Sequence, residues 1–234
     1  MLPDSKSSGC LYLVASPIGN LGDISSRAIE TLVNCDFIAC EDTRVTGKLL
    51  SRLEIQKKLI SYREENEKAK SLQIAQEIEQ GKKVALLSDA GYPCISDPGF
   101  RLVRECHIQQ LKVIPIPGPN AALTALAVSG LPTHQYTYLG FLPKKSAQTR
   151  KILDSWIAYE GSIVLYESKY KIQKTLLLIS EIMGEDRFVC LARELTKSHE
   201  SILTGRIAEV IEQQSKSSGK GEFTLVIAPQ DYSF

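Results

Sequence analysis

Apolar positions fall along the chain in two rhythms. Short runs with strand character are CLYLVAS at 10–16, FIAC at 37–40, KLISY at 58–62, KVALLS at 83–88 and KVIPIP at 112–117. The segments between them carry apolar residues at helical spacing: Ile24, Ala28, Leu32 and Val33 form one stripe, and Ala69, Leu72, Ala75 and Ile78 another. This alternation predicts a parallel or mostly parallel sheet covered on both faces, closing near residue 118.

The rhythm then changes. A helix over 120–130 leads into YTYLGFL (136–142), SIVLYES (162–168), FVCLARE (188–194) and EFTLVIAP (222–229), with helical segments at about 146–157 and 169–183. These strands are richer in Tyr and Phe and predict a second α/β domain with a mixed sheet. GKGE at 219–222 reads as a hairpin or tight-turn entry, and KSSGKG at 216–221 as a mobile loop. The expected organisation is a polar tail over 1–9, an N-terminal α/β domain over 10–118 and a C-terminal α/β domain over 119–234.

Composition narrows the classes. With 28 Lys and Arg against 27 acids in 234 residues, the net charge is +1, which excludes a strongly basic nucleic-acid coat but not a local basic patch. The opening MLPDSKSSG lacks the apolar core of a signal peptide, and no apolar run approaches the roughly 20 residues that span a bilayer. The six cysteines form no CxxC pair and the three histidines no HExxH, so reduced thiols, no metal, no membrane and a cytosolic setting are expected.

Four loops at strand ends carry the candidate chemistry. ASPIGNLGDIS (15–25) places Gly19 and Gly22 after the first strand without a GxGxxG fingerprint; Asp23 and Ser25 are candidate caps for the next helix. ACEDTR (39–44) gathers Glu41, Asp42, Thr43 and Arg44 where open α/β sheets bind ligands; the bland account, compatible with that, has Thr43 cap the next helix. SDAGYPCISDPG (88–99) is a stiff Gly/Pro loop expected to offer main-chain groups, with Asp89 or Asp97 accepting from an amine or hydroxyl. The bland alternative has Asp97 cap a helix starting at Pro98. PIPGPNAALTA (115–125) repeats the design, with Asn120 at a helix start whose N–H groups suit a carboxylate.

Together with GFLPKKSAQTRKIL, LYES, ARELTKSHE and KGEF, these segments occur in an order and spacing that resembles the ribosomal RNA small subunit methyltransferase I family of the tetrapyrrole methylase (class III S-adenosylmethionine-dependent) superfamily. The resemblance covers residues 10 to about 228. It implies a homodimer of two α/β domains, with S-adenosylmethionine in the interdomain cleft and 2′-O-methylation of a cytidine in the decoding region of 16S rRNA in the 30S subunit. The cofactor contacts it implies are Pro17, Gly19, Asp89, Ala90, Gly91, Ile95, Asn120, Ala121, Tyr166, Ala192, Glu222 and Phe223. The chain departs from the family pattern at Glu65, Tyr92, Asn120, Lys169 and Tyr170.

Methyl transfer to a ribose hydroxyl needs a group that takes the proton or supports the developing alkoxide. Glu41, Asp42, Glu194 and Lys197, with Arg44 beside them, are the candidates. Glu194 and Lys197 have an equally open reading as an ion pair with Arg44 or Arg193. Lys144, Lys145, Arg150 and Lys151 after Phe141 form the expected RNA-binding segment. Two other classes share the fold: a small-molecule methyltransferase acting on a tetrapyrrole, whose GDP loop signature is missing here, and a non-catalytic cofactor-fold binding protein.

Overall fold

A computed structural model describes residues 9–216 and 219–233. The tail expected over 1–9, apart from Gly9, and two residues of the expected mobile loop, 217 and 218, lie outside the described residues. The chain divides into two compact units, Met1–Asn120 and Ala121–Phe234.

In the N-terminal unit five strands alternate with four helices: β1 (Cys10–Val14), α1 (Ser26–Asn34), β2 (Phe37–Cys40), α2 (Thr43–Arg52), β3 (Lys58–Ser61), α3 (Glu67–Glu79), β4 (Lys83–Leu87), α4 (Phe100–Ile108) and β5 (Lys112–Ile116). The sheet order is β3-β2-β4-β1-β5, and every pairing is parallel. Successive strand side chains point to opposite faces, which divides the core in two. Val84 and Leu86 pack with Ile74 and Ile78 of α3 and Leu102 of α4; Ala85 and Leu87 pack with Ala28 and Leu32 of α1 and Leu50 of α2. Leu11 and Leu86 are fully buried, each worth about 1.5–3 kcal/mol over an exposed position.

This division positions the site. The loops after β1 and β2 run to helices on one face, and the loop after β4 runs to a helix on the other. Because β4 lies between β1 and β2, its tip is a topological switch point, where open α/β sheets leave a crevice.

Two of the alternative caps do not form. Asp42, not Thr43, caps α2: its carboxylate accepts from the Arg44 N–H at 2.8 Å, and Thr43 is already helical. A charged acceptor suits the positive helix end better than a hydroxyl. Asp97 does not cap α4, which begins at Phe100 after Gly99. Instead Glu67 Oε1 accepts from the N–H groups of Gly99 (3.1 Å) and Arg101 (3.3 Å). Ser25 caps α1 as expected, accepting from Ala28 at 3.1 Å.

The C-terminal unit contains α5 (Ala121–Val128), β6 (Tyr136–Phe141), α6 (Ser146–Ser155), β7 (Ser162–Ser168), α7 (Ile172–Met183), β8 (Phe188–Arg193), β9 (Ser201–Arg206), α8 (Ile207–Ser215) and β10 (Glu222–Ile227). Its sheet, β6-β7-β10-β8-β9, is mixed: β6 and β7 are parallel and the other pairs antiparallel. Leu153, Leu176, Ile179, Ile207 and Val210 of α6, α7 and α8 close over Ile163, Leu165, Leu191 and Leu225. Strand β9 and helix α8 were not expected. Strand β9 is an edge strand with only Gly205 buried, so its sequence lacks a core-facing apolar alternation.

Candidate active site

The tips of β1, β2 and β4 are tied together by polar bonds. Ser16 and Gly91 exchange two main-chain hydrogen bonds, Ser16 N–H to Gly91 O at 2.8 Å and Gly91 N–H to Ser16 O at 3.1 Å. The Ser16 hydroxyl also donates to Ser88 O at 3.0 Å. Asp89 Oδ1 accepts from the Asp42 N–H at 3.1 Å, and Arg63 Nε donates to Glu41 O at 3.0 Å.

The loop leaving β4 is held in an unusual path. Gly91, Cys94, Ser96 and Gly99 all have positive φ, at 80°, 72°, 64° and 145°. A Cβ at Gly99 would sit 2.5 Å from Cys94 Sγ and 2.9 Å from Leu86 Cδ2. Such conformations persist only where the surroundings enforce them. Glu67, beneath the loop, does so: besides the two N–H groups it accepts from the Tyr62 hydroxyl at 3.2 Å. The main-chain N–H and C=O of Gly91 both bond Ser16. The exposed residues of the loop are Ala90, Ile95 and Ser96.

A cavity of about 230 Å³ opens beside these tips, walled by Pro17, Gly19, Ser88 and Asp89, with Lys48 and Arg52 of α2 at its side. The structure therefore brings three expected cofactor residues, Pro17, Gly19 and Asp89, to one hollow.

Electrostatics separate the carboxylates. Burial, reinforced by the charge of Asp89, pushes Glu41 above the usual carboxylate range, and burial does the same to Asp89. Asp97 is pushed up to about 6, first by burial and then by the charge of Glu41. Asp42 goes the other way, held well below the usual range by hydrogen bonds from Arg44. Among the described residues no cluster of three or more His, Cys, Asp or Glu could hold a metal ion, and no helix is long and apolar enough to cross a membrane.

In the C-terminal unit the loop after β8 forms a second polar cluster. Lys197 Nζ donates to Glu194 Oε1 at 3.1 Å and to Glu222 Oε2 at 2.8 Å, while the Glu222 N–H donates to Glu194 Oε1 at 2.8 Å. Burial alone would lower the Lys197 ammonium, but the Glu222 and Glu194 carboxylates outweigh it and raise it. Burial likewise would raise Glu194; the Glu222 N–H and Lys197 pull it below its ordinary value. Gly221, at φ 124°, allows this approach, because a Cβ there would lie 2.7 Å from Glu194 Cγ.

The remaining candidates are dispersed within that unit. The Tyr166 hydroxyl accepts from the Ala122 N–H at 3.2 Å, so one donor of the α5 N-terminus is already engaged. Its ring meets Tyr138 and Phe141 edge-on, at 5.2 and 5.6 Å between centroids. Ala192 and Phe223 are buried, Phe223 within the core. Lys144, Lys145 and Lys151 are exposed, and Arg150 pairs with Glu181 at 2.7 Å. Glu67, Arg63 and Ser16 were not among the sequence candidates; nothing in REENEK marks Glu67 as the buried acid of its run.

Residues 10–211 match the family model for Tetrapyrrole (Corrin/Porphyrin) Methylases. The chain is 44% identical over 219 residues to a ribosomal RNA small subunit methyltransferase I of Halalkalibacterium halodurans, covering 94% of this chain and 75% of that one. It is 42% identical over 224 residues to the protein of that name in Escherichia coli O157:H7, covering 95% and 78%. The chain belongs to the ribosomal RNA small subunit methyltransferase I family. It is thus an enzyme of the methyltransferase class, within a superfamily that uses S-adenosylmethionine. Solved relatives of the fold include diphthine synthase (TM-score 0.75, 14% identity, 96% of this chain and 92% of that one) and a cobalt precorrin-4 methyltransferase (0.71, 14%, 97% and 98%).

Proposed function

We propose that the chain transfers a methyl group from S-adenosylmethionine to the ribose 2′-hydroxyl of a cytidine in the decoding region of 16S rRNA, acting as a cytosolic homodimer. Family membership supports the rRNA substrate. The observation that carries the chemistry is the Asp42–Asp89 hydrogen bond, with Glu41 next to Asp42 in the chain, at a switch point beside a cavity.

The residues present fit the cofactor. Gly19 leaves the cavity wall open, Ser88 and Asp89 supply polar groups for hydroxyls or an amine, and Pro17 supplies apolar contact, with Ile95 exposed on the loop after β4. Ala90, Gly91 and Asn120 complete the assignment in the N-terminal unit; Ala121, Tyr166, Ala192, Glu222 and Phe223 are its members in the C-terminal unit. When bound, the cofactor supplies an activated methyl carbon on a sulfonium.

The protein's own work is alignment and proton removal. Among the four candidate bases, Glu41 is the best suited, because its raised affinity for protons brings it nearer the operating pH. Asp42 is committed to Arg44 and the α2 cap, and Lys197 is held protonated, which fits electrostatic support of a developing alkoxide. Lys144, Lys145, Arg150 and Lys151 give the phosphate backbone its counter-charges.

Incubation with labelled S-adenosylmethionine and unmodified 30S subunits, followed by mapping of the label, tests this. Label on a cytidine ribose is expected. Label on a base, or transfer to porphyrinoid acids in place of RNA, overturns it.

A further inference from the structure

We propose that Tyr170 is a stacking platform for an unpaired base of the RNA substrate, displayed by a lysine staple beneath it; this rests on the RNA reading above. The turn joining β7 to α7 reads ESKYK. Tyr170 is 81% exposed, more than any other large apolar or aromatic side chain among the described residues. Burial does not explain such a residue, and the geometry around it is specific. Lys169 lies over the Tyr170 ring, Nζ 5.0 Å from the centroid.

The turn is not free to wander. Lys171 Nζ donates to the carbonyls of Leu142 (3.2 Å) and Pro143 (3.0 Å), and pairs with the buried Glu167 carboxylate at 3.4 Å. Glu167 also accepts from the Thr175 hydroxyl at 2.7 Å and the Ser168 N–H at 2.7 Å. The staple thus pins the turn to the segment that carries Phe141, 58% exposed, on one side and Lys144 and Lys145 on the other.

Tyr170 on the pinned turn and Phe141 at the end of β6 are exposed, and Lys171 ties the turn to the segment running from Phe141 to Lys144 and Lys145. Those two lysines, like Lys169, are free of ion pairs among the described residues; rings and positive charge are thus gathered on two linked segments. Single-stranded RNA is bound in this way: phosphates meet the cations and an unstacked base lies on a ring, with a cation–π contribution. Duplex RNA would not expose a base face, so the proposed partner is an unpaired nucleotide near the acceptor. A ring that stacks and a charge that neutralises phosphate have different signatures, because only the second alters salt dependence.

The test compares wild type, Tyr170→Ala, Tyr170→Phe and Lys144→Gln/Lys145→Gln. It measures methyl transfer to unmodified 30S subunits and direct binding of an unstructured pyrimidine oligonucleotide, each across a salt series. Tyr170→Ala is expected to weaken RNA binding and raise the KM for 30S roughly tenfold, with unchanged salt slope, cofactor KM and thermal midpoint. Tyr170→Phe should restore both values, and the lysine pair should reduce the slope. Wild-type RNA affinity in Tyr170→Ala, or a Phe variant as weak as the Ala variant, overturns the stacking role. If wild type binds the oligonucleotide through Tyr170 yet methylates no RNA, the functional reading fails and the platform stands.

Discussion

The carboxylate of Asp89, at the tip of β4, accepts the backbone N–H of Asp42, at the tip of β2, at 3.1 Å across 47 residues of chain. That bond orients the α2 cap from the neighbouring strand. Asp89→Asn retains an acceptor oxygen and should keep wild-type thermal stability. Asp89→Ala leaves the amide unpaired and should lose about 1 kcal/mol. Equal melting of the two variants would show that the bond contributes nothing.

Glu41 is assigned the proton of the attacking hydroxyl. Glu41→Gln should reduce kcat by about 10²–10⁴-fold with little change in either KM. Burial raises the Glu41 carboxyl, so the acid limb of the kcat–pH profile should lie above the ordinary carboxylate range and rate should fall as pH drops through it. A Gln variant with an unaltered profile would move the role elsewhere.

Asp97 tests the electrostatics of the same strand tips through stability. Its folded value of about 6 exceeds the roughly 3.9 of an unfolded aspartate, so the folded state binds the proton more tightly. The stability this gives is complete below about pH 4 and is lost as pH rises through about 6. Asp97→Asn should therefore raise the thermal midpoint at pH 8 and show little gain at pH 4. The opposite ordering in a melting series would mean that Asp97 is held ionised in the fold.

Gly221 allows the Glu194–Lys197–Glu222 cluster to close. Gly221→Ala puts a Cβ 2.7 Å from Glu194 Cγ and forces an L residue to φ 124°. A loss of about 1–3 kcal/mol in denaturant unfolding is expected, with reduced kcat. Retained stability and turnover together would argue that this loop is plastic.

Much of this was legible in the residues. The β2 and β4 runs are apolar on both faces, FIAC and VALL, and mark central parallel strands; the observed sheet places them there. Candidate loops fell at strand tips because Gly, Pro and Asp cluster where apolar runs stop. Strand β9 escaped because an edge strand needs no apolar face. Glu67 escaped because a buried acid is defined by the amides it meets, Gly99 and Arg101, more than 30 positions away. The engagement of Gly91 with Ser16 was hidden for the same reason: a glycine's freedom can be read locally, but its partner cannot.

That pairing makes two distant crossover connections behave as one mechanical element. Ser16 and Gly91 trade amide protons across the gap between the first and fourth strands, so neither tip can loosen while the other stays closed. Their two amides should exchange with deuterium at a common rate, and a small molecule gripped by one connection alone would slow both.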